Sequence, residues 1–232
     1  MKIAVINFSG NVGKSTIARH LVAPRLNNAR VIAIESINSD EGIQDGTIRG
    51  NQFGELLDVL VQLDDVVVDI GASNVEDFVK LMSQYRGSHE DFDYYIVPTV
   101  SKTKQQRDTI STIDALADLG IPAKKIRLVF NMVEQEENVE HVFSSLFQYQ
   151  ADQKNFTLKP AAVLRVNEIY NKLNGSQLTI AGILADTTDL KEQLKTATDS
   201  SEKLRISRLI GVKRLAAGVS EELDAVFKTL LK

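Results

Sequence analysis

The chain has 232 residues, 43% of them apolar, enough to bury a core of the larger α/β kind. Its 27 basic and 31 acidic residues leave a net charge of -4, so no overall positive field draws nucleic acid, and any such binding must come from a local patch. The absence of cysteine excludes disulfides, thiolate metal sites and iron–sulfur clusters and fits a reducing compartment.

The first apolar run, residues 3–6, is too short for a signal-peptide core, and no later run approaches the roughly 20 residues of a spanning helix. A soluble cytoplasmic protein is expected. Five further short, β-branched runs follow at 31–34, 66–70, 94–97, 126–130 and 161–164. Continuous apolar character, in place of strict alternation, is what strands buried on both faces of a parallel sheet require. The stretches between them have helical spacing, as with Ile110, Ile113, Leu116 and Leu119, after which Gly120 and Pro122 supply a stop. The alternation predicts an α/β fold with a doubly wound, mostly parallel sheet flanked by helices, where ligands bind beyond the carboxyl ends of the strands. The expected organisation is a single domain over residues 1–232, with a charged helical segment at 190–232 packed on it.

"NFSGNVGKSTIARHL" begins directly after the first predicted strand. In a phosphate-binding loop, small residues let consecutive backbone N–H groups turn inward as an anion nest, and the following helix adds its positive end. Gly10 and Gly13 are expected to supply that freedom, with Asn11 and Val12 between them. Lys14 would place an ammonium on the β- and γ-phosphates, Ser15 would offer a hydroxyl to Mg²⁺, and Thr16 would contact the α-phosphate. Phe8 stands where the usual G-x-x-x-x-G-K-[ST] pattern has its first glycine. The alternative is a strand-to-helix turn with Lys14 solvated.

In the run at 66–70, Val66, Val67 and Val68 lead to Asp69, and the small residues Gly71 and Ala72 follow the run. A carboxylate there can accept from a Mg²⁺-bound water, and the Gly71 amide can approach a γ-phosphate; otherwise Asp69 caps a strand or helix.

Loop, acid and alternation together resemble the ParA/MinD group of deviant Walker ATPases, which partition plasmids and position division sites. The similarity covers most of the first 170 residues. Residues 7–16 occupy the frame N-x-K-G-G-V-G-K-T-T, and more narrowly the chain is similar to StbB-type plasmid stability proteins. The resemblance implies a role for Asn131, in "IRLVFNMVEQ", as the residue that hydrogen-bonds adenine; a side-chain amide suits the task because it both donates and accepts. Capping of the strand is the other reading of Asn131. Two positions depart from the family. Ser9 stands where a lysine reaches across a nucleotide-sandwich dimer, and Ile37 stands where a second aspartate positions the attacking water. Glu35 matches the first acid, and Asn38 or Asp40 would have to take the second role. Both departures weaken catalysis and cross-dimer coupling more than nucleotide binding.

Lys102, Lys104 and Arg107 read as a solvated helix start or a contact for phosphate or a partner. Residues 203–220 carry Lys203, Arg205, Arg208, Lys213 and Arg214 without one acid, with Leu204, Leu209, Val212 and Leu215 as an apolar side. In the resemblance, basic residues near this end bind nonspecific DNA, and in MinD-like members a tail binds membrane; a packed amphipathic helix with wet cations is the alternative. Glu221, Glu222 and Asp224 argue against a terminal membrane anchor. His20, His89 and His141 have no metal-ligand spacing.

The sequence therefore predicts a Mg²⁺–ATP-binding, ParA-like switch in plasmid partition or stability, with slow hydrolysis. Its expected partners are a second copy in the nucleotide-bound state and a plasmid-encoded DNA-binding protein, with nonspecific DNA, and hence the nucleoid, as a further candidate. The alternatives are a nucleotide-binding module without turnover and a small-molecule kinase or ATP-dependent ligase on the same loop.

Overall fold

The computed structural model describes residues 1–34, 47–48 and 52–232. Contacts divide it into two compact units, one of Met1–Val166 with Val226–Lys232, the other of Asn167–Ala225.

The first unit is built on a seven-stranded sheet in which every strand pair is parallel. The strands are β1 (Lys2–Val5), β2 (Arg30–Ile34), β3 (Thr47–Ile48), β4 (Val66–Ile70), β5 (Tyr94–Thr99), β6 (Ile126–Val133) and β7 (Val163–Arg165), in the order β3-β2-β4-β1-β5-β6-β7. All six predicted strands are present. The seventh, β3, has only two residues and no apolar run to announce it. The chain leaves β1 toward β2 and β4 on one side, and only later adds β5, β6 and β7 on the other. That reversal makes the carboxyl end of β1, where the loop begins, the switch point at which sheets of this class bind ligands.

Side chains alternate between the two faces of the sheet. On one face Ala4, Ile6, Val68, Ile70, Tyr95, Val97, Leu128 and Phe130 join the main core cluster. Helices α2 (Phe53–Gln62), α3 (Val75–Gln84) and α4 (Thr103–Asp118) add Phe53, Leu56, Phe78, Met82, Ile113 and Leu116 to it. Phe53, Phe78, Phe92 and Tyr95 form a chain of ring contacts at 5.3, 6.3 and 5.4 Å between centroids. On the other face Ile3, Val5, Val67 and Val129 are equally buried. Burial on both faces explains why the strands read as unbroken apolar runs.

The helical segment after β1 starts as α1 (Lys14–Thr16), continues as a π-helix over Ile17–Val22 and tightens to a 3₁₀ turn at Ala23–Arg25. Pro24 has no N–H to return to the preceding turn, and its ring displaces the carbonyl four residues back. The Arg25 guanidinium takes over, donating to His20 O at 2.9 Å and Leu21 O at 3.3 Å. Ile17, Leu21 and Val22 are buried, as their spacing predicts.

The first unit is completed by α5 (Val139–Val142) and α6 (Ser144–Gln153). The acidic stretch before them forms an exposed loop closed by Asn138, which caps α5 by accepting from His141 N at 3.0 Å. The second unit is helical: α7 (Glu168–Leu173), α8 (Ile180–Ala185), α9 (Leu190–Thr196) and most of α10 (Ser200–Leu231). Each begins at a short polar side chain that accepts from a first-turn amide: Asn167, Thr179, Asp189 and Asp199. No described helix is long and apolar enough to cross a membrane.

Candidate phosphate-binding site

The loop is a turn of mixed hand. Asn11 at φ 58° and Gly13 at φ 84° are left-handed, with Val12 buried between them. Alternation of this kind turns successive N–H groups to one side and makes an anion nest. Among the described residues, no acceptor takes up the N–H groups of Gly10, Asn11, Val12 or Gly13. Gly10, Asn11 and Ser15 are exposed, so the rim is open to solvent, and Thr16 is half-buried.

The glycine roles differ from expectation at one of the two positions. Gly10 has no left-handed φ, and a Cβ built on it meets nothing within 4 Å. The freedom assigned to it belongs to Asn11, since asparagine is among the few side chains that enter this region readily. Gly13 is required twice over, because a Cβ there would also lie 2.2 Å from Asn131 Nδ2.

Lys14 is buried, and its Nζ donates to Asn7 O at 3.1 Å and Ser9 O at 2.7 Å. Burial pushes its pKa down to about 8, partly offset by the carboxylate of Asp69. Asp69 is itself buried at the carboxyl end of β4, in register with Val5 of β1 and Ala33 of β2. The fold thus brings the strand-end acid to the loop's root, as the sequence suggests. Gly71, by contrast, donates its amide to Ile34 O at 2.9 Å, which continues the β2–β4 ladder past the strand end. That amide is engaged in the sheet and does not face a phosphate.

Asn131 closes the loop from the other side. It is buried in β6, and its Nδ2 donates to Val12 O at 2.9 Å, across 119 residues of sequence. Beside it the pairing of β6 with β7 slips between Phe130 and Val133, and Met132 takes φ 54°. The irregularity leaves Met132 46% exposed, with its terminal methyl 3.5 Å from the position a Gly13 Cβ would occupy.

Ser9 turns inward: its Oγ donates to Asp108 Oδ2 at 2.8 Å. Lys102, Lys104 and Arg107 are exposed at the start of α4, with Lys104 Nζ 3.6 Å from Asp108 Oδ2. Asp108, Thr109 and Thr112 of α4 also touch the loop, and as polar residues they carry no apolar signal that could have marked them in the sequence. Glu35, Ile37, Asn38 and Asp40 lie outside the described residues.

Away from the loop, Lys203, Arg205, Arg208 and Arg214 are exposed on α10, while Lys213 is half-buried and its Nζ donates to Asp186 O. The expected apolar side needs correction. Leu204 is 53% exposed, Leu209, Val212 and Leu215 are half-buried, and the buried positions are Ile206, Ala216, Val219 and Leu223. The described residues hold no metal-binding cluster of histidines and acids.

No family model matches the sequence, and no curated protein matches it. Solved structures match in fold. The chain is similar to the MinD cell division protein of Aquifex aeolicus at 13% identity, over 90% of this chain and 97% of that one, with a TM-score of 0.50. A structure of the MinC:MinD cell division complex of the same organism matches at 12% identity, over 90% and 96%, with a TM-score of 0.51. A provisionally assigned plasmid partition protein of Borrelia burgdorferi B31, bound to AMPPNP, matches at 15% identity over 91% and 97%, with a TM-score of 0.49. At such identities the likeness is one of fold: the parallel α/β architecture of ParA/MinD-type proteins, as the sequence predicts.

Proposed function

We propose that the chain binds Mg²⁺–ATP on residues 10–16 and acts as a ParA-like, nucleotide-dependent switch in plasmid partition or stability. The observation that carries the reading is the nest at residues 10–13, whose N–H groups have no protein acceptor among the described residues, beside the ammonium of Lys14. Backbone donors and a buried cation at the carboxyl end of a central strand suit a polyphosphate better than any other common ligand. In this reading Lys14 holds the β- and γ-phosphates, Thr16 the α-phosphate, and Ser15 and Asp69 the magnesium shell. Asn131, with Nδ2 on Val12 O, keeps Oδ1 to accept from the adenine amino group. Asp40 is the candidate for placing an attacking water. The fold likeness to MinD supports the family reading.

Hydrolysis is slow in this reading, and a second one, nucleotide binding without turnover, is favoured by Ser9. Its hydroxyl is held by Asp108, and it brings no cation to the loop. Nucleotide titration beside an ATP turnover assay, with and without DNA, separates the two. Light scattering of wild type and Lys14→Ala with and without Mg²⁺–ATP tests the switch: a nucleotide-driven size change should appear and be lost in the variant. Identical profiles in all four samples would remove the dimer switch, and turnover that depends on a small metabolite would replace the partition reading with a kinase or ligase.

A further inference from the structure

The turn that enters the loop is gripped by α4. Asn7 is fully buried with both sides of its amide engaged: Nδ2 donates to Pro98 O at 2.8 Å and to Thr109 Oγ1 at 2.9 Å, and Oδ1 accepts from Ser9 N at 2.7 Å. Pro98 O can only accept and Ser9 N can only donate, so the orientation of this amide is settled by its partners. Thr109 is also fully buried; its Oγ1 donates to Gln105 O at 2.7 Å and lies 3.1 Å from Thr99 Oγ1. One turn along the same helix, Thr112 Oγ1 accepts from Phe8 N at 3.0 Å, and Asp108 takes the Ser9 hydroxyl.

Two of these bonds remove the amides of Phe8 and Ser9 from the nest, so an anion meets N–H groups only from Gly10 onward. The turn has a second output. It fixes the carbonyls of Asn7 and Ser9, the two acceptors of the Lys14 ammonium.

Resting on the phosphate-loop reading above, we infer that Asn7 and Thr109 are positioning residues: the Thr109 hydroxyl holds the Asn7 amide, and the turn so fixed holds the Lys14 ammonium beside the anion nest. A threonine that served only to pack would be replaced by valine with little loss. Here valine leaves a buried Asn7 N–H without its acceptor, whereas serine keeps the acceptor and gives up only a methyl group.

The test compares Thr109→Val with Thr109→Ser in the full chain. Thr109→Val should bind Mg²⁺–ATP and inorganic tripolyphosphate about 10-fold more weakly than wild type, with equal losses because the lesion is at the phosphate end. Amide hydrogen exchange at Ser9 should accelerate by about 10-fold in the same variant. Thr109→Ser should restore both to within about 2-fold of wild type. If Thr109→Val does not fold, Thr112→Val against Thr112→Ser asks the same question at Phe8 N. Wild-type affinity and Ser9 exchange in a folded valine variant would overturn the inference, as would a serine variant as impaired as the valine one. If wild type binds neither Mg²⁺–ATP nor tripolyphosphate, the nucleotide reading falls while the exchange comparison still decides the positioning role.

Discussion

Asn11 and Gly13 carry the left-handed turns that shape the nest, and their tolerance of change should differ from that of Gly10. Gly13→Ala forces a side chain to φ 84° and against Asn131 Nδ2, so it should destabilise the protein by about 2 kcal/mol or more in urea unfolding. Gly10→Ala, with open space and no left-handed φ, should leave stability within about 0.5 kcal/mol of wild type or raise it slightly. Equal losses at the two positions would contradict this account of the loop. Lys14 supplies the pH dependence at this scale. Its folded pKa of about 8 lies below the ordinary 10.5, so the unfolded chain binds more protons between those values. The buried ammonium therefore disfavours folding below pH 8, and that penalty fades as pH rises toward 10.5. Stability of wild type relative to Lys14→Met should rise across that window, read by denaturant unfolding at several pH values. A polyphosphate beside Lys14 reverses the shift, so binding near pH 8.5 should take up a proton, seen as a dependence of calorimetric enthalpy on buffer ionisation.

At the scale of elements, the helical segment after the loop shows how a side chain replaces a missing backbone bond. Pro24 denies the preceding turn a donor, and Arg25 satisfies His20 O and Leu21 O instead. Arg25→Ala should lower stability by about 1–2 kcal/mol, while the same change at exposed Arg107 should cost less than about 0.5 kcal/mol. Thermal unfolding of the pair checks this, and equal midpoints would show that water serves those carbonyls as well. Helix α4 makes a different point about reading elements. Its apolar spacing predicts the buried Ile113 and Leu116 and the helix itself, yet Gln106, Thr109 and Thr112 are just as buried. Thr109 and Thr112 turn toward the loop, while Gln106 bonds Ser101 O and Val142 O. Polar residues at buried helical positions carry no periodic apolar signal, so the stripe that holds the loop was not legible.

For the molecule as a whole, a net charge of -4 means that any nucleic-acid affinity rests on local cations. Lys203, Arg205, Arg208 and Arg214 are exposed on α10 and are one candidate set, whereas Lys213 is partly withdrawn onto Asp186 O. If the chain binds nonspecific duplex DNA, replacing these four cations by alanine should weaken that binding and flatten its salt dependence by about one unit of slope per lost phosphate contact. An unchanged slope would assign these residues to solvent alone.

By itself the sequence determined the six longer strands, the parallel α/β class, the loop and the acid at the end of β4, because each is a local signal: apolar runs, glycine and lysine at fixed spacing, a carboxylate closing a strand. Only the tertiary structure decided that Asn11, and not Gly10, takes the left-handed turn, that Gly71 N serves the sheet, that Asn131 clasps Val12, and that Ser9, Asn7 and α4 form one hydrogen-bonded unit. Those outcomes depend on partners some 40 to 120 residues apart meeting at a few ångströms, and on buried donors and acceptors finding one another once the sheet has been assembled.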